Sequence, residues 1–91
     1  MSAPESDPLI RQLREQISDV DRSIVEAINK RLKLVAQLKG YKDEHGISFL
    51  DPEREESIVA SQVRENRGPL SEEGLRAFYA ELLALTKREV S

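Results

Sequence analysis

A few charged residues, widely spaced along a short chain, carry the chemistry available to this sequence. Asp51-Pro52-Glu53-Arg54-Glu55 forms an Asp-x-x-Arg-Glu cluster, and the run before it holds Arg14, Arg31 and Lys42. Those three cations interrupt a pattern that is otherwise amphipathic. A cation drawn out of water needs anionic company, either an acidic side chain or an anionic ligand. Arginine presents a bidentate fork matched to a carboxylate, whereas lysine acts as a mobile point charge. A pocket framed by three or four cations with one carboxylate, Glu55, suits a small dianion.

The missing chemistry narrows the reaction. There is no cysteine and only one histidine, His45, so thiolate catalysis, Cys-ligated zinc and a His-rich metal site are excluded. No Ser-His-Asp set and no Gly-rich phosphate loop is present. No metal and no cofactor is expected. An enzyme built from what remains works by orientation and electrostatic stabilisation. A pericyclic rearrangement of a dicarboxylate is one reaction those means can serve.

The elements that must position these residues are helices. From Leu9 to about Glu44 there is no proline and a single glycine, Gly40. Apolar residues fall at Leu9, Leu13, Ile17, Val20, Ile24, Ala27, Ile28, Val35 and Leu38. Steps of three and four over this span predict one long amphipathic helix, ~50 Å at 1.5 Å per residue. On it Arg31 and Lys42 lie eleven apart, within ~20° of one another around the axis. Arg14 lies ~100° away and faces another surface. It cannot readily share a site with Arg31 of its own helix, but it can reach a partner's.

His45-Gly46-Ile47-Ser48 reads as a break, with Gly46 ending the helix. Asp51 is a candidate N-cap, with Pro52 at the first helical position and acid in the first turn. The second helix runs to about Glu65 with Ile58, Val59 and Val63 on its apolar side, and Asn66-Arg67-Gly68-Pro69 is a turn. Ser71 opens a third helix as half of a capping box, since Gly74 stands where Glu is usual. That helix carries Leu75, Phe78, Tyr79, Leu82, Leu83 and Leu85, with Phe78 and Tyr79 read as core. Residues 1–8 are expected to be a disordered leader, capped into the helix by Ser6 or Asp7, and residues 9–91 one domain. The fold class is all-α, one long helix and two shorter ones.

Composition bounds the partners. Both charge signs are interspersed, charged residues make up 34% of the chain, and the formal net charge is −3. A nucleic-acid surface needs a basic excess, as does an anionic membrane surface, so neither is expected. No stretch approaches the ~18 apolar residues of a membrane span, and no apolar signal core is present, which suggests a cytoplasmic protein. With two Phe, two Tyr and no Trp among 91 residues, the core is small. A chain of this size often gains stability by pairing with a second copy.

Taken singly, each charged residue is ordinary: Arg14, Arg31 and Lys42 as solvated helix charges, Asp51-Pro52-Glu53 as a helix start, Arg54 and Glu55 as surface residues. Their joint spacing is not ordinary. Leu13-Arg14-Glu15-Gln16-Ile17 with Asp21 following, then Arg31, Lys42 and Asp51-x-x-Arg54-Glu55, resembles the all-helical class of chorismate mutases. Glu65-Asn66-x-Gly68-Pro69 resembles the forms of this domain that accompany aromatic-pathway synthases. The similarity runs from about Leu9 to Val90.

The resemblance implies an intertwined helical homodimer with two sites. It also implies the Claisen rearrangement of chorismate to prephenate, a shikimate-pathway step in aromatic amino acid biosynthesis. Arg14 would cross from the partner subunit to one substrate carboxylate, and Arg31 would hold a carboxylate in its own. Lys42 would donate to the ether oxygen, Asp51 and Arg54 would support the ring side, and Glu55 would accept from the ring hydroxyl. Thr86 falls where a small or polar residue contacts a carboxylate.

One position departs from the family. Four residues after Thr86, where Gln or Glu usually completes the ether-oxygen contact, stands Val90. Several alternatives follow: Glu89 substitutes after a small helix shift, or a partner enzyme of the aromatic pathway orders the C-terminus. Otherwise the substrate is an analogue such as 4-amino-4-deoxychorismate, or the chain is a low-activity helical module regulating a larger enzyme. Isochorismate pyruvate lyase activity is the weakest of these readings, because related lyases commonly lack the Asp-x-x-Arg-Glu pattern.

Overall fold

The computed structural model describes residues 6–90 and is built of three helices, with no strand among the described residues. Helix α1 spans Pro8–Glu44, α2 Pro52–Glu65 and α3 Glu72–Glu89. The expected leader falls largely at residues 1–5, which, like Ser91, lie outside the described residues.

Each boundary has a local cause. Asp7 starts α1, its carboxylate accepting from the amides of Leu9 at 2.8 Å and Ile10 at 3.3 Å. This satisfies donors that the first turn leaves without helical partners. At the other end Gly46 takes a φ of +66°, a left-handed conformation that side chains disfavour. The Ile47 amide then donates to the Lys42 carbonyl at 2.8 Å and the Gly46 amide to that of Asp43 at 3.4 Å. That pairing is a Schellman closure. Tyr41 and His45 stack across this last turn with centroids 4.0 Å apart.

Asp51 caps α2, accepting from the Arg54 amide at 3.0 Å, with Pro52 as the first helical residue. Asn66 ends it and pins the following turn: its side chain accepts from the Gly68 amide at 3.0 Å and donates to the Leu70 carbonyl at 2.8 Å. Ser71 caps α3 through a 3.0 Å bond from the Gly74 amide. A Cβ at Gly74 would stand 3.1 Å from both the Leu70 side chain and the Ser71 hydroxyl oxygen. Glycine at this position gives the cap room to close.

The chain divides into two units within α1, after Lys33. In the first, α1 leaves its apolar stripe bare: Leu9, Leu13, Ile17, Val20 and Ile24 are each 47–60% exposed. In the second, α2 and α3 pack on one another. The buried residues there, Leu75, Leu82 and Thr86, all come from α3, and Ile58, Val59 and Val63 of α2 are themselves half-buried. The steps of seven and four from Leu75 to Leu82 to Thr86 trace one seam along the helix.

Phe78 corrects an expectation. It lies 47% exposed rather than in the core, because the seam runs through Leu75 and Leu82 and leaves Phe78 to one side. Its ring meets Tyr79 edge-on at 5.6 Å.

Candidate functional site

In the second unit the expected site residues each stand near a helix end. Lys42 sits in the last turn of α1, where its own carbonyl takes part in the closure at Gly46. A cation there complements the negative end of the helix dipole. Its side chain is half-buried, and among the described residues no carboxylate pairs with it. Lys39, one turn earlier, instead bonds Asp43 at 2.8 Å and lies over the Phe49 ring.

Asp51, Arg54 and Glu55 open α2 together. Because Asp51 spends one carboxylate oxygen on the Arg54 amide, it fixes the turn from which Arg54 and Glu55 project. Arg54 is exposed, and its guanidinium, like the Lys42 ammonium, has no carboxylate partner among the described residues. Both cations are thus available to an anionic ligand.

Glu55 is engaged across the helix pair. The Lys87 ammonium lies 2.8 Å from Glu55 Oε1, with the side chains 47% and 31% exposed, respectively. The contact joins the first turn of α2 to the last turn of α3, so the two helices run antiparallel. Sequence reasoning missed Lys87. The available signal was topological: a tight turn between two helices of similar length sets the start of one against the end of the next.

Thr86 is the most thoroughly covered of the candidates, and its hydroxyl donates to the Leu82 carbonyl at 2.7 Å. Threonine in a helix commonly back-bonds in this way. Donation to a ligand carboxylate would require that hydroxyl to turn away from Leu82. Val90 is the C-cap of α3, its amide donating to the Thr86 carbonyl at 2.9 Å. It brings no polar side-chain atom to the end of the helix.

Arg14 and Arg31 belong to the first unit. Arg14 is exposed and Arg31 half-buried on α1. A shallow depression of about 240 Å³ lies along the same helix, lined by Leu13, Gln16, Ile17, Val20 and Asp21. No group of His, Cys, Asp and Glu suited to a metal ion occurs among the described residues. No helix among them is long and apolar enough to cross a membrane.

Comparison with known proteins supplies a frame for this arrangement. Residues 13–90 match the family model for chorismate mutase type II. The chain is 42% identical over 53 residues to the T-protein of Enterobacter agglomerans, covering 58% of this chain and 14% of that protein. It is 32% identical over 80 residues to the T-protein of Haemophilus influenzae, covering 82% of this chain and 21% of that protein. It thus spans about a fifth or less of the length of these relatives. Two solved structures of a chorismate mutase from Thermus thermophilus, Form I and Form II, share its fold. Form I has a TM-score of 0.82 at 31% identity, covering 85% of this chain and 96% of that one. Form II has a TM-score of 0.83 at 30% identity, covering 87% and 90%.

Proposed function

The chain belongs to the chorismate mutase type II family, and on that premise we propose that it is an isomerase converting chorismate to prephenate. The observation that carries this reading is the charged set itself. Arg14, Arg31, Lys42, Asp51, Arg54 and Glu55 all stand within the matched span, and Lys42 and Arg54 lack carboxylate partners among the described residues.

The reaction is intramolecular. The bond between the ring carbon and the ether oxygen breaks while the enolpyruvyl methylene carbon bonds to the ring, and no atom enters or leaves. The protein has to hold the substrate folded on itself and stabilise charge that builds as the C–O bond lengthens. Arg14 and Arg31 bind the two carboxylates, with Arg14 contributed by a second copy of the chain. Lys42 donates to the ether oxygen, where negative charge develops. Arg54 and Asp51 support the ring side, and Glu55 accepts from the ring hydroxyl. Thr86 lies near a carboxylate, with Val90 where a donor to the ether oxygen would stand. The bare apolar stripe on α1 supports the homodimer, since such a surface is costly to leave in water. A biosynthetic enzyme of this kind works in the cytoplasm.

The test is loss of chorismate absorbance on adding the protein, with the product identified by chromatography. Prephenate is expected. Arg31→Ala and Lys42→Ala are expected to lower turnover by about 10²–10³-fold with helical content unchanged. Wild-type rates in either variant would overturn the reading.

Val90 favours a second reading, in which the lone chain is slow and a larger aromatic-pathway enzyme completes it. The T-protein relatives extend far beyond the span they share with this chain, which supports such a setting. Turnover that appears only on adding the partner would select it. The 4-amino analogue as sole substrate would select the other alternative.

A further inference from the structure

We propose that Lys87 is a positioning and specificity-determining residue, which holds Glu55 for a neutral ring hydroxyl and disfavours a cationic amine at the same carboxylate. The inference rests on the reading that Glu55 meets the substrate ring.

Lys87 Nζ lies 2.8 Å from Glu55 Oε1, so one carboxylate oxygen is engaged and Oε2 remains to accept from a ligand. Glutamate has three rotatable side-chain bonds. Tying one oxygen to a neighbouring helix removes much of the freedom that a ligand would otherwise have to remove on binding. The pair is only part-exposed, at 47% and 31%, so solvent does not screen it fully.

The same ammonium sets the charge a ligand meets. A ring hydroxyl donates to Oε2 with no charge of its own. A ring amine in its ammonium form donates as well, but it places a second cation roughly 5 Å from Nζ, across a single carboxylate. Glu55 alone would attract that cation; Glu55 already paired with Lys87 attracts it far less. Discrimination then arises from an introduced repulsion, one of the two ways a site can choose between ligands. Lys87 touches no reacting atom in this scheme and acts through Glu55.

The experiment measures kcat and KM of the full chain on chorismate and on 4-amino-4-deoxychorismate, for wild type, Lys87→Met, Lys87→Gln and Lys87→Arg. Helical content is followed for each. Lys87→Met retains the length of the side chain without its charge. It is expected to raise KM for chorismate and to shift the ratio of kcat/KM values about tenfold towards the amine. Lys87→Gln should shift it in the same direction, and Lys87→Arg should retain the wild-type ratio. A purely structural role would lower both activities by one factor and leave the ratio in place. That result, or an unchanged ratio in an active enzyme, overturns the inference alone. A wild-type protein inactive on both substrates overturns the proposed function and this inference with it.

Discussion

Glu55 and Val90, both members of the proposed site, differ in what their side chains offer. Glu55 is held by a partner on another helix, whereas Val90 closes α3 with a backbone bond and no polar side-chain atom. If Lys42 donates to the ether oxygen as proposed, Val90 offers no second donor beside it. Val90→Gln is therefore expected to raise kcat about tenfold or more, since one well-placed donor supplies about 2–4 kcal/mol to a transition state. Steady-state kinetics on chorismate checks this, and an unchanged kcat would mean that another group already fills the place. The candidate cations were legible in the sequence because arginine and lysine at helical spacing are visible one residue at a time. Lys87 was not, because its importance depends on which residue of α2 it meets, 32 positions earlier in the chain.

At the scale of elements, local chemistry decided nearly everything. Asp7, Gly46, Asp51 and Ser71 sit within a turn of the boundaries they set, and a cap acts over two or three residues. Such boundaries can be read from sequence. The seam of α3 is different: Leu75, Phe78 and Leu82 all satisfy a helical period, and only the placement of α2 decides that Phe78 stays outside. Asp51 caps α2, and under the proposed function the same side chain would also support the substrate. Asp51→Ala is expected to cost about 1 kcal/mol through loss of the cap. Asp51→Asn keeps a cap acceptor and should melt close to wild type. Thermal unfolding together with turnover separates the two roles: activity lost in Asp51→Asn at unchanged melting temperature belongs to the charge.

For the whole molecule, the buried core that α3 supplies among the described residues is small beside the apolar surface left bare on α1. The homodimer proposed above would account for this imbalance. Leu13→Asp combined with Ile17→Asp is expected to convert a dimer into monomer by sedimentation. The wild-type melting temperature should rise with protein concentration, as it does whenever association stabilises the folded state. The sequence already showed that the stripe existed. It could not show how exposed the stripe would be, because a helical period marks an apolar face without saying what covers it.

One continuous helix, α1, carries Arg14 near its start and Lys42 in its last turn. If Arg14 serves the neighbouring copy and Lys42 its own, the two residues of one chain work in different sites. A lesion at one can then be covered by a chain with a lesion at the other. Arg14→Ala and Lys42→Ala proteins, each inactive alone, should regain about a quarter of wild-type turnover when unfolded together and refolded as an equal mixture. Half of the dimers are then mixed, and each mixed dimer holds one intact site. In a cell, two defective copies of the gene would together supply activity that neither supplies alone.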